Sequence, residues 1–245
     1  MIVAFDITTD DRPKTGPDMS SWELIDTAAI PNNEGELRLF KRNHEFVIRI
    51  KSTPGDLMSS RTHGSEDALG ELACQPFAKK QSAAVLIGGL GMGFTLATAL
   101  ATLPREASVT VAELVPGVVK WNRELVGAFA GHPLKDKRVR ILEADVADLI
   151  QQHPRAYDAI MLDVDNGPEG LTHPQNNNLY SVDGIKLARK ALKTSGILAV
   201  WSASPSSKFT NLLKKSGFAV EVKHVRAHKG KGARHIIWVA KKQGH

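Results

Sequence analysis

The sequence predicts an α/β protein: a mostly parallel, doubly wound sheet that ends in an antiparallel hairpin and is preceded by a small β meander. Three observations carry this. From about Ala83 onward, short apolar runs alternate with helical apolar patterns, and each parallel crossover needs such a helix. The first of these runs passes directly into a glycine-rich turn, VLIGGLGMGFTLATAL (85–100). That order of strand, tight turn and helix start is where an open α/β sheet receives a nucleotide. Upstream of residue 80 the pattern changes to short, partly alternating stretches divided by turn residues.

Residues 1–20 include TTDDRPKTGPDMS, a Pro-, Asp- and Thr-rich segment expected to be mobile. WELIDTAAI, GELRLFKR and EFVIRI, broken at Pro31, Asn32, Asn33 and Gly35 and again at Asn43 and His44, read as an antiparallel meander. A helix from about Ser65 to Phe77 completes a unit over 21–80, and the nucleotide-binding domain spans 81–245. In that domain AAVLI, SVTVAE, VRILEA, YDAIMLD and GILAVW are strands. The intervening helices are GFTLATAL, PGVVKWNRELVGAF with Pro116 in its first turn, VADLIQQ and YSVDGIKLARKAL. A last helix from about Ser206 to Lys215 leads to FAVEVKHV and RHIIWVA. The loop between those two strands, Arg226 to Ala233, is too short for a crossover, so they pair antiparallel at one edge.

With 245 residues, 42% of them hydrophobic and 24% charged, the chain can bury a full core as one large domain or one domain with a small appendage. No apolar run approaches the roughly 18 residues of a membrane span, and the start MIVAFDITTDDRPK is acidic where a signal peptide is basic. A cytoplasmic protein with no membrane partner is expected. Cys74, the single cysteine, lies in an apolar helical stretch and reads as a buried small hydrophobe. The net charge of +6 favours anionic ligands or surfaces.

The glycines Gly88, Gly89, Gly91 and Gly93 are the first candidates for nucleotide binding. Glu113 ends the next strand, where an acid accepts from the two ribose hydroxyls. Asp145 follows the third strand and can either reach an adenine amino group or cap the helix at Val146. The fourth strand ends in Asp163 and Asp165 and runs into a Pro/Gly loop. Ligand crevices lie beyond the carboxyl ends of such strands, so both acids are candidates for general-base work; Asp165 reads equally well as local turn capping.

The alternating half resembles class I methyltransferases and their relatives, whose parallel sheet ends in one antiparallel strand. VLIGGLGMGFTLATAL, AELVPGVVKWNRE and YDAIMLDVDNGPEGLTHPQNNNLYSVDGIKLARKALKTSGILAV together resemble the spermidine synthase family of polyamine aminopropyltransferases, over nearly the whole chain after about residue 20. The resemblance implies an N-terminal β meander on a Rossmann-like catalytic domain, a sulfonium nucleotide as group donor with no metal, a small-molecule acceptor and a homodimer. It makes the glycine turn and Glu113 donor contacts, Asp145 the adenine contact and Asp163 the acid that activates the amine. His63 and Glu66 fall where the family has acceptor-facing polar residues, although residues at a helix entrance also serve as caps. The family's aromatic pair on the acceptor side is replaced by Gly184 and Ile185, with Tyr180 nearby as a substitute.

Two departures bear on the reaction. The family's turn GGGDGG holds an acid that partners the donor's ammonium, and this chain has GGLGMG with Gly91 at that place. Gly89-Leu90-Gly91-Met92-Gly93 is the G-x-G-x-G form common in methyltransferases, so the donor is either S-adenosylmethionine or its decarboxylated form. The segment HVRAHKGKGARH holds Arg226, Lys229, Lys231 and Arg234 beside three histidines, a cluster that would repel a polyamine if it emerged at the ligand side. Methyl transfer to an anionic metabolite or RNA is the alternative these features raise, and a non-catalytic nucleotide-binding module is a second. Aromatics are 6% of the chain and none sits within the basic run, so nucleic acid is not the expected partner.

Overall fold

The structure, a computed structural model, describes residues 21–33, 35–164, 168, 178–228 and 231–244. The segment 1–20, Asp165 and Lys229 lie outside these. Strands β1 (Glu23–Ile30), β2 (Gly35–Arg42), β3 (Glu45–Ile50) and the short β4 (Met58–Ser59) form an antiparallel sheet in chain order. Its alternation puts Leu37, Leu39 and Ile48 on the buried face, as a one-sided meander requires.

Helix α1 (Gly64–Cys74) then leads to β5 (Ala84–Gly88), α2 (Phe94–Thr102), β6 (Ser108–Glu113), α3 (Pro116–Glu124), β7 (Val139–Glu143), α4 (Val146–Gln152), β8 (Tyr157–Leu162), α5 (Val182–Ala191), β9 (Leu192–Ser202), α6 (Ser207–Lys215), β10 (Phe218–His228) and β11 (Lys231–Lys242). The seven strands of the main sheet lie in the order β10-β11-β9-β8-β5-β6-β7. All neighbours from β9 to β7 are parallel, and β11 is antiparallel to both β9 and β10. The chain leaves β5 towards β6 and later returns on its other side to β8, so a crevice opens beyond the carboxyl ends of β5, β6 and β8.

Each strand feeds two layers in strict alternation. Val85, Ile87, Met161, Ala199 and Ile237 join α1, α2, α3 and the meander in one core, while Leu86, Ile160, Leu162, Val200 and Trp238 join α4, α5 and α6 in the other. Near-continuous apolar strands are what a sheet covered on both faces demands. Cys74 is fully buried in the first core, and burial pushes its thiol up to about 12, so it stays protonated.

The meander is fastened over the crevice through β1. Asp26 accepts from Trp121 Nε1 at 2.9 Å and Lys120 Nζ at 3.1 Å, and these bonds hold its carboxyl below the usual range. A Cβ on Gly117 would come within 2.3 Å of the Ala28 Cβ, so the missing side chain lets β1 approach α3 closely.

Two expectations are corrected. The helix expected over 116–129 stops at Glu124, because the N–H groups of Leu125 and Val126 both turn to the Trp121 carbonyl at 2.8 Å, and a 3₁₀ turn follows at Gly127–Ala130. The basic stretch expected as a loop from Arg226 to Ala233 is largely strand: Arg226 pairs with Arg234, and His228 with Lys231 beyond an irregularity.

Candidate active site

The glycine turn closes against the end of β8. Gly89 has φ 88°, and a Cβ there would sit 2.2 Å from the Asp163 carbonyl oxygen, so no other residue fits without moving the strand end. Gly89 N–H donates to the Ala112 carbonyl and Asp163 N–H to the Gly88 carbonyl, both at 2.9 Å, which ties the turn to both neighbouring strands.

Glu113, at the end of β6, is 7% exposed. Its Oε2 accepts from Leu90 N–H and its Oε1 from Val115 N–H, each at 2.8 Å. Burial raises its pKa while these donors pull it down, and burial prevails. The N–H groups of Leu114 and Gly91 also favour its ionised form. Glu113, Gly89, Gly91 and Asp145 line one wall of a cavity, and Ile30, Leu37, Ile48 and Ile50 of the meander line the opposite wall. Asp145 caps α4 by accepting from Ala147 N–H at 2.8 Å, and it also lines this cavity.

A second cavity adjoins the first and shares Met58, Gly91, Asp163 and Val164 with it. Its own walls are Glu66 of α1, Phe94 and Thr95 of α2, and Trp201 of β9. Asp163 therefore stands between the two cavities. Its Oδ2 accepts from Thr95 Oγ1 at 2.8 Å, yet burial pushes its carboxyl up to about 6. Glu66 is pushed up to about 7, first by burial and then by the charge of Asp163. Two acids drawn from α1 and β8 thus face one cavity, and burial raises the carboxyl of each towards neutral pH.

Other candidates lie elsewhere. Gly88 and Gly93 line neither cavity: a Cβ on Gly88 would meet Val146 Cγ2 at 2.8 Å, so its role is to seat α4, while Gly93 caps α2 with φ 86°. His63 stacks on Phe94 with ring centroids 4.0 Å apart and binds Asp67 Oδ2 through Nδ1 at 2.8 Å, so it backs the cavity wall instead of forming it. Tyr180 is buried in the second core, edge-on to Phe209 at 5.8 Å, and does not line the second cavity. Strand alternation sends His224, Arg226 and Arg234 to the sheet face opposite Ile237 and Trp201, exposed and outside both linings. Sequence reasoning missed Thr95, Trp201 and Met58. Trp201 sits at the carboxyl end of a parallel strand, a position that does signal a ligand crevice.

A Spermine/spermidine synthase domain matches residues 71–220. No curated protein sequence matches the chain. Among solved structures, spermidine synthase from Thermotoga maritima superposes with a TM-score of 0.69 at 15% identity, over 90% of this chain and 72% of that one. A spermidine synthase in complex with the transition state analogue AdoDATO gives 0.69 at 16%, with the same coverage of 90% and 72%. A probable spermidine synthase from Corynebacterium glutamicum ATCC 13032 gives 0.59 at 15%, over 86% and 78%. These structures share the fold, meander included, and the domain match extends over more than half of the sequence: the chain belongs to the spermine/spermidine synthase family of transferases.

Proposed function

We propose that this protein transfers an aminopropyl group from decarboxylated S-adenosylmethionine to a small amine. The observation that carries the reading is the position of Asp163, a carboxyl common to two adjoining cavities of different character. The cavity against the meander, apolar on one side and bearing Glu113 and Asp145 on the other, suits an adenosine. The cavity with Glu66, Asp163, Phe94 and Trp201 suits a cationic amine, which two carboxylates attract and aromatic faces stabilise.

The choice of donor follows from charge. Among the described residues, neither lining contains a lysine or arginine. The carboxylate of intact S-adenosylmethionine would be buried there without a cationic partner, beside acids, at a cost of several kcal/mol. The decarboxylated donor presents only its ammonium and sulfonium charges.

In the reaction, the amine nitrogen attacks the propyl carbon bonded to sulfur. A C–N bond forms as the C–S bond breaks, the electron pair returns to sulfur as methylthioadenosine leaves, and Asp163 accepts a proton from the amine. Displacement at a sulfonium needs little covalent assistance, so most of the gain comes from holding donor and acceptor in line.

Calorimetry with the purified chain tests this. Binding of the decarboxylated donor at least tenfold tighter than S-adenosylmethionine, a difference of about 1.4 kcal/mol, supports aminopropyl transfer. The reverse preference points to methylation, and no binding of either removes the enzymatic reading.

A further inference from the structure

Behind the two carboxylates runs a file of hydrogen bonds that the transfer step leaves unused. The Ser65 hydroxyl donates to Glu66 Oε2 at 2.6 Å and lies 2.9 Å from His235 Nδ1. A serine hydroxyl has one proton. With Glu66 ionised that proton is committed to the carboxylate, so His235 donates through Nδ1–H and keeps a lone pair on Nε2.

Burial along the file is graded. Glu66 lines the acceptor cavity, Ser65 is 0% exposed in the first turn of α1, and His235 on β11 is half-buried. Trp201, a wall of the same cavity, stands edge-on to the His235 ring with centroids 4.7 Å apart and limits its rotation. The file therefore leads from the acids of the cavity, through a dry layer, to a side chain that reaches water.

We propose that Ser65 and His235 form the outlet for the proton released by the acceptor amine, carrying it from Glu66 to solvent. This inference rests on the group-transfer reading, because that chemistry frees the proton. Each C–N bond formed costs the ammonium one proton, which passes to the acids in the cavity. Once Glu66 is protonated, the ring exchanges its Nδ1 proton for one on Nε2 through water; Glu66 then donates to Ser65 Oγ as the hydroxyl proton moves to Nδ1, and the imidazolium releases its Nε2 proton to water. What remains is the arrangement observed. Without an outlet a protonated Asp163 cannot take the next proton, and turnover stalls.

The surrounding charges are compatible with this direction. Asp163 faces Glu66 from the end of β8, and Asp67 acts on it from its own helix. Val225 lies opposite His235 on β10, and Lys223, on the same face, pairs with Glu221 at 2.7 Å. Burial lowers the His235 pKa, so the ring is neutral and able to accept at physiological pH.

The same bonds could simply fasten α1 to β11, and the experiment separates the two roles. Turnover of decarboxylated S-adenosylmethionine with diaminobutane is followed at low concentrations of a bulky buffer. His235→Ala is expected to lower kcat roughly 10²-fold, the low end for proton transfer by a positioned side chain, with KM for the amine unchanged, and added imidazole is expected to restore kcat. Ser65→Ala is expected to lose a similar factor without rescue. Unchanged kcat in both variants, or no rescue of His235→Ala, overturns the outlet.

Titration of the His235 ring by NMR gives a reading independent of turnover. Its midpoint is expected to move on Glu66→Gln in the wild-type background and to stay fixed when Ser65→Ala is already present. If the wild-type protein turns nothing over, the group-transfer reading fails by itself. The ring then decides alone: a midpoint unmoved by Glu66→Gln overturns the file, and a moved one upholds it.

Discussion

The two cavities that meet at Asp163 are built by different means. Around the cavity proposed for the donor the specific contacts are main-chain groups and strand-end acids: a glycine turn folded against β8, and Glu113 held by the N–H groups of Leu90 and Val115. Around the cavity proposed for the acceptor they are side chains brought together from α1, α2, β8 and β9. A site made of backbone tolerates changes such as Gly91, Leu90 and Met92 within its turn, because the amides stay where they are. A site made of side chains depends on each one, and its two acids are under strain from burial and from each other.

The contrast predicts separable losses. Asp163→Asn keeps the shape of the carboxyl and an acceptor for Thr95 Oγ1, but it cannot take a proton from the amine. We expect kcat to fall roughly 10²- to 10⁴-fold, the usual worth of a general base, with the donor Kd unchanged by calorimetry. A variant with near-normal kcat would remove Asp163 from its role. Glu113→Ala is expected to do the opposite. Donor binding should weaken by about 1.5 to 3 kcal/mol, the range for hydrogen bonds to a charged group, while kcat at saturating donor stays close to normal. Because alanine also strands the Leu90 and Val115 N–H groups, Glu113→Gln serves as the control and should lose less. Equal donor affinity in all three proteins would sink the assignment.

How far each half was legible in the sequence follows from the same difference. Gly89 and Glu113 are readable because strand, turn and strand end are local in the chain, and an α/β sheet has one place to put them. The same rule places Asp163 at the crevice. Thr95 was not, since it sits in the apolar start of α2 and its meaning depends on its 2.8 Å contact with Asp163, far along the chain. Tyr180 and His63 misled for a related reason: an aromatic or a histidine near a helix start has no fixed direction, and here one packs into the second core while the other stacks behind Phe94. The basic hairpin was half legible: β10 runs in the same direction as β9, so it does end at the carboxyl side of the sheet, but the stretch read as a loop is a two-stranded ladder that sends Arg226 and Arg234 to the face opposite Ile237 and Trp201.

The smallest effect is the one that tests the acceptor side without any substrate. Burial and the Asp163 charge push the Glu66 carboxyl from the ordinary 4.5 up to about 7, so between those limits the folded state holds a proton that the unfolded chain has released. Stability from this group is therefore full below about pH 4.5 and is lost as pH rises through about 7. Glutamine imitates the protonated carboxyl and still accepts from Ser65 Oγ. Glu66→Gln should match the wild-type melting temperature at acid pH and exceed it at alkaline pH, at about 2 to 4 °C for each kcal/mol in a domain of this size. Thermal melts across the range measure it directly. A difference that stays constant with pH would mean that the Glu66 carboxyl is not raised in the folded protein.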